Sequence, residues 1–150
     1  ALLAYTRGGL WRIGGDGQWS LLREDAPPGG AASGALMNGG GELFLVSTDT
    51  IYRVRTIHAY NRDGLQQWQA ELPDVSGQVT LAQYDTVLLL LSSGGNILTI
   101  NAASGAVCNT LRVFGGGPVW HSLGDDGILR LAIGAQFTGW DWVELTQECG

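Results

Sequence analysis

A repeat of about 40 residues is the feature that most constrains the fold of this chain. Three stretches run from an apolar strand through a polar, glycine-containing turn into a second strand. Their turn glycines, Gly17, Gly64 and Gly105, lie 47 and 41 residues apart. Asp-Gly and Ser-Gly pairs supply the positive φ that tight hairpin turns require. The repeat therefore predicts a series of antiparallel hairpins.

A second family of strands recurs with the same period. These strands are predicted at residues 43–47, 87–92 and 128–133, and residues 2–6 match an earlier copy. The segments are short and rich in Val, Ile, Thr, Tyr and Trp, and no window shows the spacing of an amphipathic helix. Short strands with regular turns, in repeats near ~40 residues with about four strands each, favour a β-propeller.

The predicted fold class is therefore all-β, with β-propeller-type repeats of four-stranded antiparallel blades. Residues 1–150 are assigned to one repeat domain, with units of approximately 1–25, 26–73, 74–114 and 115–150. With the strands of a blade named A to D, the chain reads B-C-D, A-B-C-D, A-B-C-D and A-B-C.

The last A strand is predicted at residues 118–122 and the last C strand at residues 139–146. The two partial blades both contain B and C, so they cannot merge into one standard blade. We expect about three to four blades in an incomplete or partner-completed ring. Its open strand edges could pair with a protein partner, with further blades or with a second copy of the chain.

The charge of the chain excludes some classes of partner. Its net charge is −6, from 14 acidic residues and 8 basic residues that are all Arg. An acidic chain without a basic run argues against binding to nucleic acid or to anionic membranes. No apolar stretch reaches the ~18 residues of a membrane-spanning helix, and no signal peptide is visible. We expect no membrane insertion.

The two cysteines, Cys108 and Cys149, lie 41 residues apart, which is about one repeat. Equivalent positions of adjacent propeller blades are neighbours, so this spacing allows a disulfide. Two unrelated thiols are the alternative, because pairing cannot be deduced from two cysteines alone. A disulfide would indicate an oxidising compartment.

The second hairpin also resembles a known repeat. Residues 59–68 read Ala-Tyr-Asn-Arg-Asp-Gly-Leu-Gln-Gln-Trp and resemble the repeat of the PQQ-like (quinoprotein-like) propellers. In that repeat a strand ends in Ala-x-Asp, turns at Gly and finishes in Trp. Residues 101–107 are similar, although Asn109 stands where Trp is expected, and residues 16–19 form a shortened version. The resemblance covers most of the chain in period and about a third of it in motif.

No catalytic or metal-binding pattern accompanies the repeats. His58 and His121 lack a second His or Cys at ligand spacing. Asp125-Asp126-Gly127 favours a hairpin turn over a Ca²⁺ loop. The glycine-rich stretch at residues 38–41 lacks the following helix and the Lys of a phosphate-binding loop. We therefore predict no catalytic residue, no cofactor and no metal.

Four residues are candidates for binding a partner. Arg53 and Arg55 alternate along a strand, so they could anchor an acidic partner or form a solvated face. Trp140 and Trp142 are predicted on one face of the last C strand. They could pack in the core or form an aromatic anchor for a protein or a sugar.

The leading functional hypothesis is a non-enzymatic module that acts as a protein-interaction scaffold outside the cytoplasm, periplasmic or secreted. Similar PQQ-like proteins without enzymatic residues use the propeller as a scaffold, including in outer-membrane protein assembly. One alternative is part of a PQQ- and Ca²⁺-dependent quinoprotein dehydrogenase, for which the resemblance implies a Ca²⁺-bound quinone, an Asp base and often adjacent cysteines. The other is a carbohydrate-binding module that uses Trp140 and Trp142.

Overall fold

A computed structural model describes residues 2–6, 9–23, 30–49, 54–72, 74–114 and 116–149. The chain divides into two compact units, Ala1–Pro73 and Asp74–Gly150. This division falls at the limit predicted between the second and third repeat units. The assignment of the whole chain to one domain stays a prediction.

Unit 1 contains a three-stranded and a four-stranded sheet, both with sequential strands as neighbours. The three-stranded sheet consists of β1 (Leu2–Thr6), β2 (Gly9–Ile13) and β3 (Trp19–Arg23). The four-stranded sheet consists of β4 (Gly30–Met37), β5 (Leu43–Asp49), β6 (Arg55–Tyr60) and β7 (Gln66–Leu72). The side chains of Phe44, Leu45 and Ile57 are fully buried in the two central strands of this sheet.

Unit 2 has the same construction. Its four-stranded sheet consists of β8 (Val79–Tyr84), β9 (Val87–Ser92), β10 (Asn96–Asn101) and β11 (Val107–Arg112). Its three-stranded sheet consists of β12 (Val119–Leu123), β13 (Ile128–Ile133) and β14 (Gln136–Asp141). All six residues of β9 are buried, because both faces of this strand are covered. This explains why residues 87–91 of β9 form an unbroken apolar run rather than an alternating one.

The core of unit 2 lies between these two sheets. The four-stranded sheet contributes Leu89, Leu91 and Ile97 to a buried cluster, and the three-stranded sheet contributes matching aliphatic side chains. The latter are Leu129, Leu131 and Ile133.

The predicted strand count is confirmed, since the described sheets contain three, four, four and three strands. Every strand pairing is antiparallel and joins neighbours in sequence. Such up-and-down sheets are the blades of a β-propeller. The chain therefore consists of propeller-type repeats, with two four-stranded and two three-stranded sheets.

The predicted turn chemistry is confirmed as well. Gly17, Gly64 and Gly105 have φ values of 78°, 79° and 78°. In the second hairpin, the Gly64 amide donates to the Asn61 carbonyl at 2.9 Å. The Asn61 side chain accepts hydrogen bonds from two further backbone amides of the turn, at 2.9 and 3.0 Å. The turn therefore satisfies its own backbone groups.

The prediction is wrong for the C-terminal strand. Strand β14 ends at Asp141, and the residues predicted to continue it to residue 146 form helix α1 (Trp142–Thr146), which a 3-10 turn (Gln147–Cys149) follows. The cause is Asp141, whose Oδ1 accepts hydrogen bonds from the amides of Val143 (2.9 Å) and Glu144 (3.3 Å). This N-cap starts a helix although Trp140 and Trp142, on either side of Asp141, match the alternation of a strand.

Helix α1 and the 3-10 turn are fixed to the four-stranded sheet of unit 2. The Leu145 side chain is buried in the core cluster, and its carbonyl accepts a hydrogen bond from Thr99 Oγ1 at 2.8 Å. Asn101 Nδ2 donates to the Cys149 carbonyl at 2.8 Å. Cys149 also forms a disulfide with Cys108 of β11, with 5.0 Å between the Cα atoms. The segment after β14 therefore packs on the neighbouring sheet instead of adding a fourth strand to its own.

Candidate protein-interaction surface

The sheet β12–β14 has one face against the core and one face that is largely exposed. The exposed face follows from the register, which places Trp120, Ala132 and Phe137 side by side on three strands. Since side chains two residues apart share a face, Arg130 and Gly139 lie on it too. Trp120 is 55% exposed and Phe137 is 80% exposed. We call this side, with Trp120, Ile128, Arg130, Phe137 and Gly139, the outer aromatic face.

A groove of about 330 Å³ runs over the outer aromatic face. Trp120 and Phe137 line it together with Ile128 and Gly139. A Cβ at residue 139 would lie 3.4 Å from Ile128 Cγ2, so the glycine leaves space above Ile128. Single exposed apolar residues are common on proteins, but a contiguous patch with two exposed aromatic rings is typical of an interaction site.

A charged pair borders the groove. Arg130 makes two hydrogen bonds to the Asp126 carboxylate, at 2.6 and 3.0 Å. The Ile128 amide donates to the same carboxylate at 3.1 Å. Asp126 lies in the hairpin turn predicted at residues 125–127, and Gly127 has a φ of 75° there. The hydrogen bonds from Arg130 and Ile128 lower the pKa of Asp126 to about 2.

We expect this pKa to depend on Arg130. In the parent chain, the Asp126 carboxylate should titrate by NMR with a pKa of about 2. Because the folded pKa lies below its ordinary 3.8, the ion pair stabilises the fold above about pH 4 and is lost as the pH falls towards 2. Arg130→Gln should raise the pKa of Asp126 towards 3.8. Arg112→Gln is the matched control and should leave it unchanged, and an equal pKa in both variants would refute the assignment.

Strand β14 also carries an unpaired edge among the described strands. It pairs with β13 alone, whereas the corresponding strands β6 and β10 pair on both sides. The fourth strand of each complete sheet lies at this position. An unpaired edge presents backbone N–H and C=O groups that another chain can bind. The edge adjoins the outer aromatic face, because Phe137 belongs to β14.

The predicted arginine pair is only half described. Arg53 lies outside the described residues. Arg55 is the first residue of β6, and its Nη1 is buried without a hydrogen-bond partner in the described part of the chain. Burial lowers the pKa of its guanidinium. A role for both residues in binding an acidic partner stays a prediction.

The two predicted tryptophans lie on different elements. Trp140 is on β14, packs against the core cluster and donates from Nε1 to Thr138 Oγ1 at 3.0 Å. Trp142 is on α1 and also packs against this cluster. Its ring contacts Tyr84 edge-on, with 5.5 Å between the centroids. The shared strand face predicted for them is wrong, because the N-cap at Asp141 separates them. Their role in partner binding stays a prediction.

The two histidines are each engaged within one unit. His58 is buried, with its Nε2 at 3.1 Å from Ser47 Oγ. His121 Nδ1 lies 2.8 Å from the Tyr84 hydroxyl, and burial lowers the pKa of its imidazole. Within the described ranges, no group of three or more His, Cys, Asp or Glu side chains could hold a metal ion.

Sequence reasoning missed Trp120 and Phe137. Trp120 could have been placed, since alternation in β12 puts it on the face opposite Val119 and His121. Phe137 could not, because the last C strand was predicted to start at residue 139. The true strand starts at Gln136 and brings Phe137 next to Ala132 and Trp120.

No protein-family model and no curated protein matches the chain. Many solved structures are similar to it, and BamB and the Ika8 protein are two of them. BamB from Moraxella catarrhalis is 13% identical with a TM-score of 0.56, and the match covers 95% of this chain and 59% of BamB. The computationally designed Ika8 protein is 15% identical with a TM-score of 0.55, and the match covers 93% of this chain and 45% of Ika8.

At these identities the similarity shows the fold, which is of the β-propeller type. The chain spans about three-fifths of the length of BamB, since 59% of that chain is covered. Neither helix in the described residues is long and apolar enough to cross a membrane.

Proposed function

We propose that this chain is a non-enzymatic propeller module that acts as a protein-interaction scaffold. The observation that carries this proposal is the outer aromatic face, where Trp120 and Phe137 are exposed beside the unpaired edge of β14. The PQQ-like repeat and the structural similarity to BamB support a propeller scaffold.

The geometry suggests how a partner would bind. An extended segment would pair with β14 through backbone hydrogen bonds, as in strand addition to a sheet edge. Its apolar side chains would fill the groove between Trp120 and Phe137. Aromatic side chains of this kind supply much of the binding energy in protein interfaces. A second copy of the chain could supply the segment, which would give a homo-oligomer.

The proposed location is outside the cytoplasm, in the periplasm or as a secreted protein. Its support is the disulfide between Cys108 and Cys149, since structural disulfides persist in oxidising compartments.

The residues do not favour the dehydrogenase alternative. A Ca²⁺-bound quinone needs several oxygen ligands around the ion. Among the described side chains, no group of three or more Asp, Glu, His or Cys residues could hold a metal ion. The cysteines are paired across 41 residues and are not adjacent. No observation favours the carbohydrate alternative, since Trp140 and Trp142 pack on the core.

A cofactor-loading assay separates the scaffold from the enzyme. The purified chain is mixed with PQQ and Ca²⁺, and quinone absorbance and dye reduction are recorded with an alcohol or a sugar as substrate. We expect no stoichiometric quinone binding and no turnover, whereas binding with turnover would overturn the proposal. The solution mass then shows whether a second copy is the partner, because strand pairing between copies gives a dimer that Phe137→Ser weakens.

A further inference from the structure

Unit 1 contains a cleft that the proposed scaffold function does not use. Its volume is about 430 Å³, and three elements line it. These are Arg12 of β2, the β4–β5 turn at residues 38–41, and Arg62 and Asp63 in the β6–β7 turn. The cleft therefore brings together two guanidinium groups that lie 50 residues apart in the sequence.

The Arg12 guanidinium is only weakly compensated. Its Nη2 donates to the Asp63 carbonyl at 3.0 Å, but the Asp63 carboxylate oxygen is 3.5 Å away. That distance is at the long limit for a hydrogen bond. Arg12 Nε is buried and has no hydrogen-bond partner among the described residues. A cation with this little compensation favours an additional negative charge nearby.

Arg62 has no ion pair or side-chain hydrogen bond within the part of the chain that the structure describes. Its guanidinium is therefore available to a ligand. The neighbouring turn approaches it closely, because a Cβ at Gly41 would lie 3.2 Å from Arg62 Cβ. Gly41 has a φ of 82°, which favours glycine for a second reason.

The β4–β5 turn is a fixed wall of the cleft. The Asn38 side chain accepts hydrogen bonds from the amides of Gly40 and Glu42, both at 3.0 Å. The Gly41 amide donates to the Asn38 carbonyl at 3.1 Å. Residues 39–41 carry no side chains, so they leave the space beside Arg62 open.

The side chains that line the cleft include more cations than anions. Two guanidiniums and one carboxylate, that of Asp63, line the cleft, and the Glu42 carboxylate lies beside the β4–β5 turn, where it accepts a hydrogen bond from Asn38 Nδ2 at 3.0 Å. Guanidinium groups present forked N–H donors that match the oxygens of carboxylates and phosphates.

We propose that this cleft binds a small oxyanion group, a phosphate or a carboxylate, with Arg12 and Arg62 as the donors. The sequence argued against a phosphate site at residues 38–41 because no Lys and no helix follow them. The fold supplies the cations from β2 and from the β6–β7 turn instead. This inference does not depend on the proposed scaffold function.

The test is an NMR titration at low ionic strength, with inorganic phosphate in one arm and acetate in the other. We expect saturable shifts of the Arg12 and Arg62 Nε–Hε signals and of the amides of residues 39–41. The expected Kd is on the order of 1 mM. Tighter binding of phosphate would identify a phosphate-bearing ligand, and tighter binding of acetate a carboxylate.

Arg62→Gln should weaken binding about tenfold, because it removes one of two charge-assisted donors. Arg112→Gln is the matched control, since it also removes an exposed arginine that has no described partner. Arg12→Gln should weaken binding as well. If Arg12→Gln perturbs the fold, the affinity of Arg62→Gln alone tests the proposal. Shifts that fail to saturate with either anion, or equal affinity in Arg62→Gln and Arg112→Gln, would overturn the proposal.

Discussion

Replacing both Cys108 and Cys149 by Ser should lower the free energy of unfolding of unit 2 by about 4 kcal/mol. The disulfide closes a loop with a sequence separation of 41 residues. A loop of this length restricts the unfolded chain strongly, which is the main source of the expected stabilisation. The loop also contains the whole β12–β14 sheet, so the bridge limits the separation of this sheet from β11.

Urea denaturation followed by tryptophan fluorescence measures this change. Three of the six tryptophans, Trp120, Trp140 and Trp142, lie in unit 2, so the loss is read from the transition that the cysteine variant shifts relative to the parent chain. The parent chain in excess reductant is the control and should lose a similar amount. A loss below about 1 kcal/mol in both would show that the C-terminal segment is held by its hydrogen bonds and by Leu145 rather than by the bridge.

The double variant Trp120→Ser, Phe137→Ser should bind a protein partner at least about 100-fold more weakly than the parent chain. Both aromatic rings line the groove, and their removal leaves Ile128 as the one apolar side chain among the residues that define the outer aromatic face. Stability should change by less than about 1 kcal/mol, because both side chains are more than half exposed. Leu65→Ser is the matched control, since Leu65 is 64% exposed but lies in unit 1.

A second variant tests the groove without removing an aromatic ring. Gly139→Leu places a side chain above Ile128, where a Cβ has ordinary contact at 3.4 Å. Affinity measured by titration calorimetry should fall with this variant too. Partner affinity within twofold of the parent for both variants would contradict a role for the outer aromatic face.

Much of the fold could be predicted because it depends on local residues. Each hairpin is specified by a turn that satisfies its own backbone, as Asn61 and Gly64 do, and by short apolar strands on both sides. The repeat period then gave the strand count. The segment at residues 139–146 could not be predicted in this way, because Trp140 and Trp142 on either side of Asp141 match the alternation of a strand. The Asp141 carboxylate caps the N-terminus of α1 and thereby favours the helix.

The candidate sites were less predictable because they depend on contacts between distant residues. Trp120 and Phe137 become neighbours only through the register of three strands. Arg12 and Arg62 meet only when β2 lies near the β6–β7 turn. The cysteines were the exception. Their separation of about one repeat already allowed a disulfide between Cys108 and Cys149, with two unrelated thiols as the alternative.

Site-specific photo-crosslinking tests the interaction surface most directly. A benzophenone amino acid is placed at residue 137 or, as the control, at residue 65, and the chain is irradiated in an extracytoplasmic extract of its source. We predict one defined protein adduct at residue 137 that the unlabelled parent chain competes away and the Trp120→Ser, Phe137→Ser chain does not. No adduct at residue 137, or the same adducts with the same competition at both positions, would contradict a protein-interaction surface on the β12–β14 sheet.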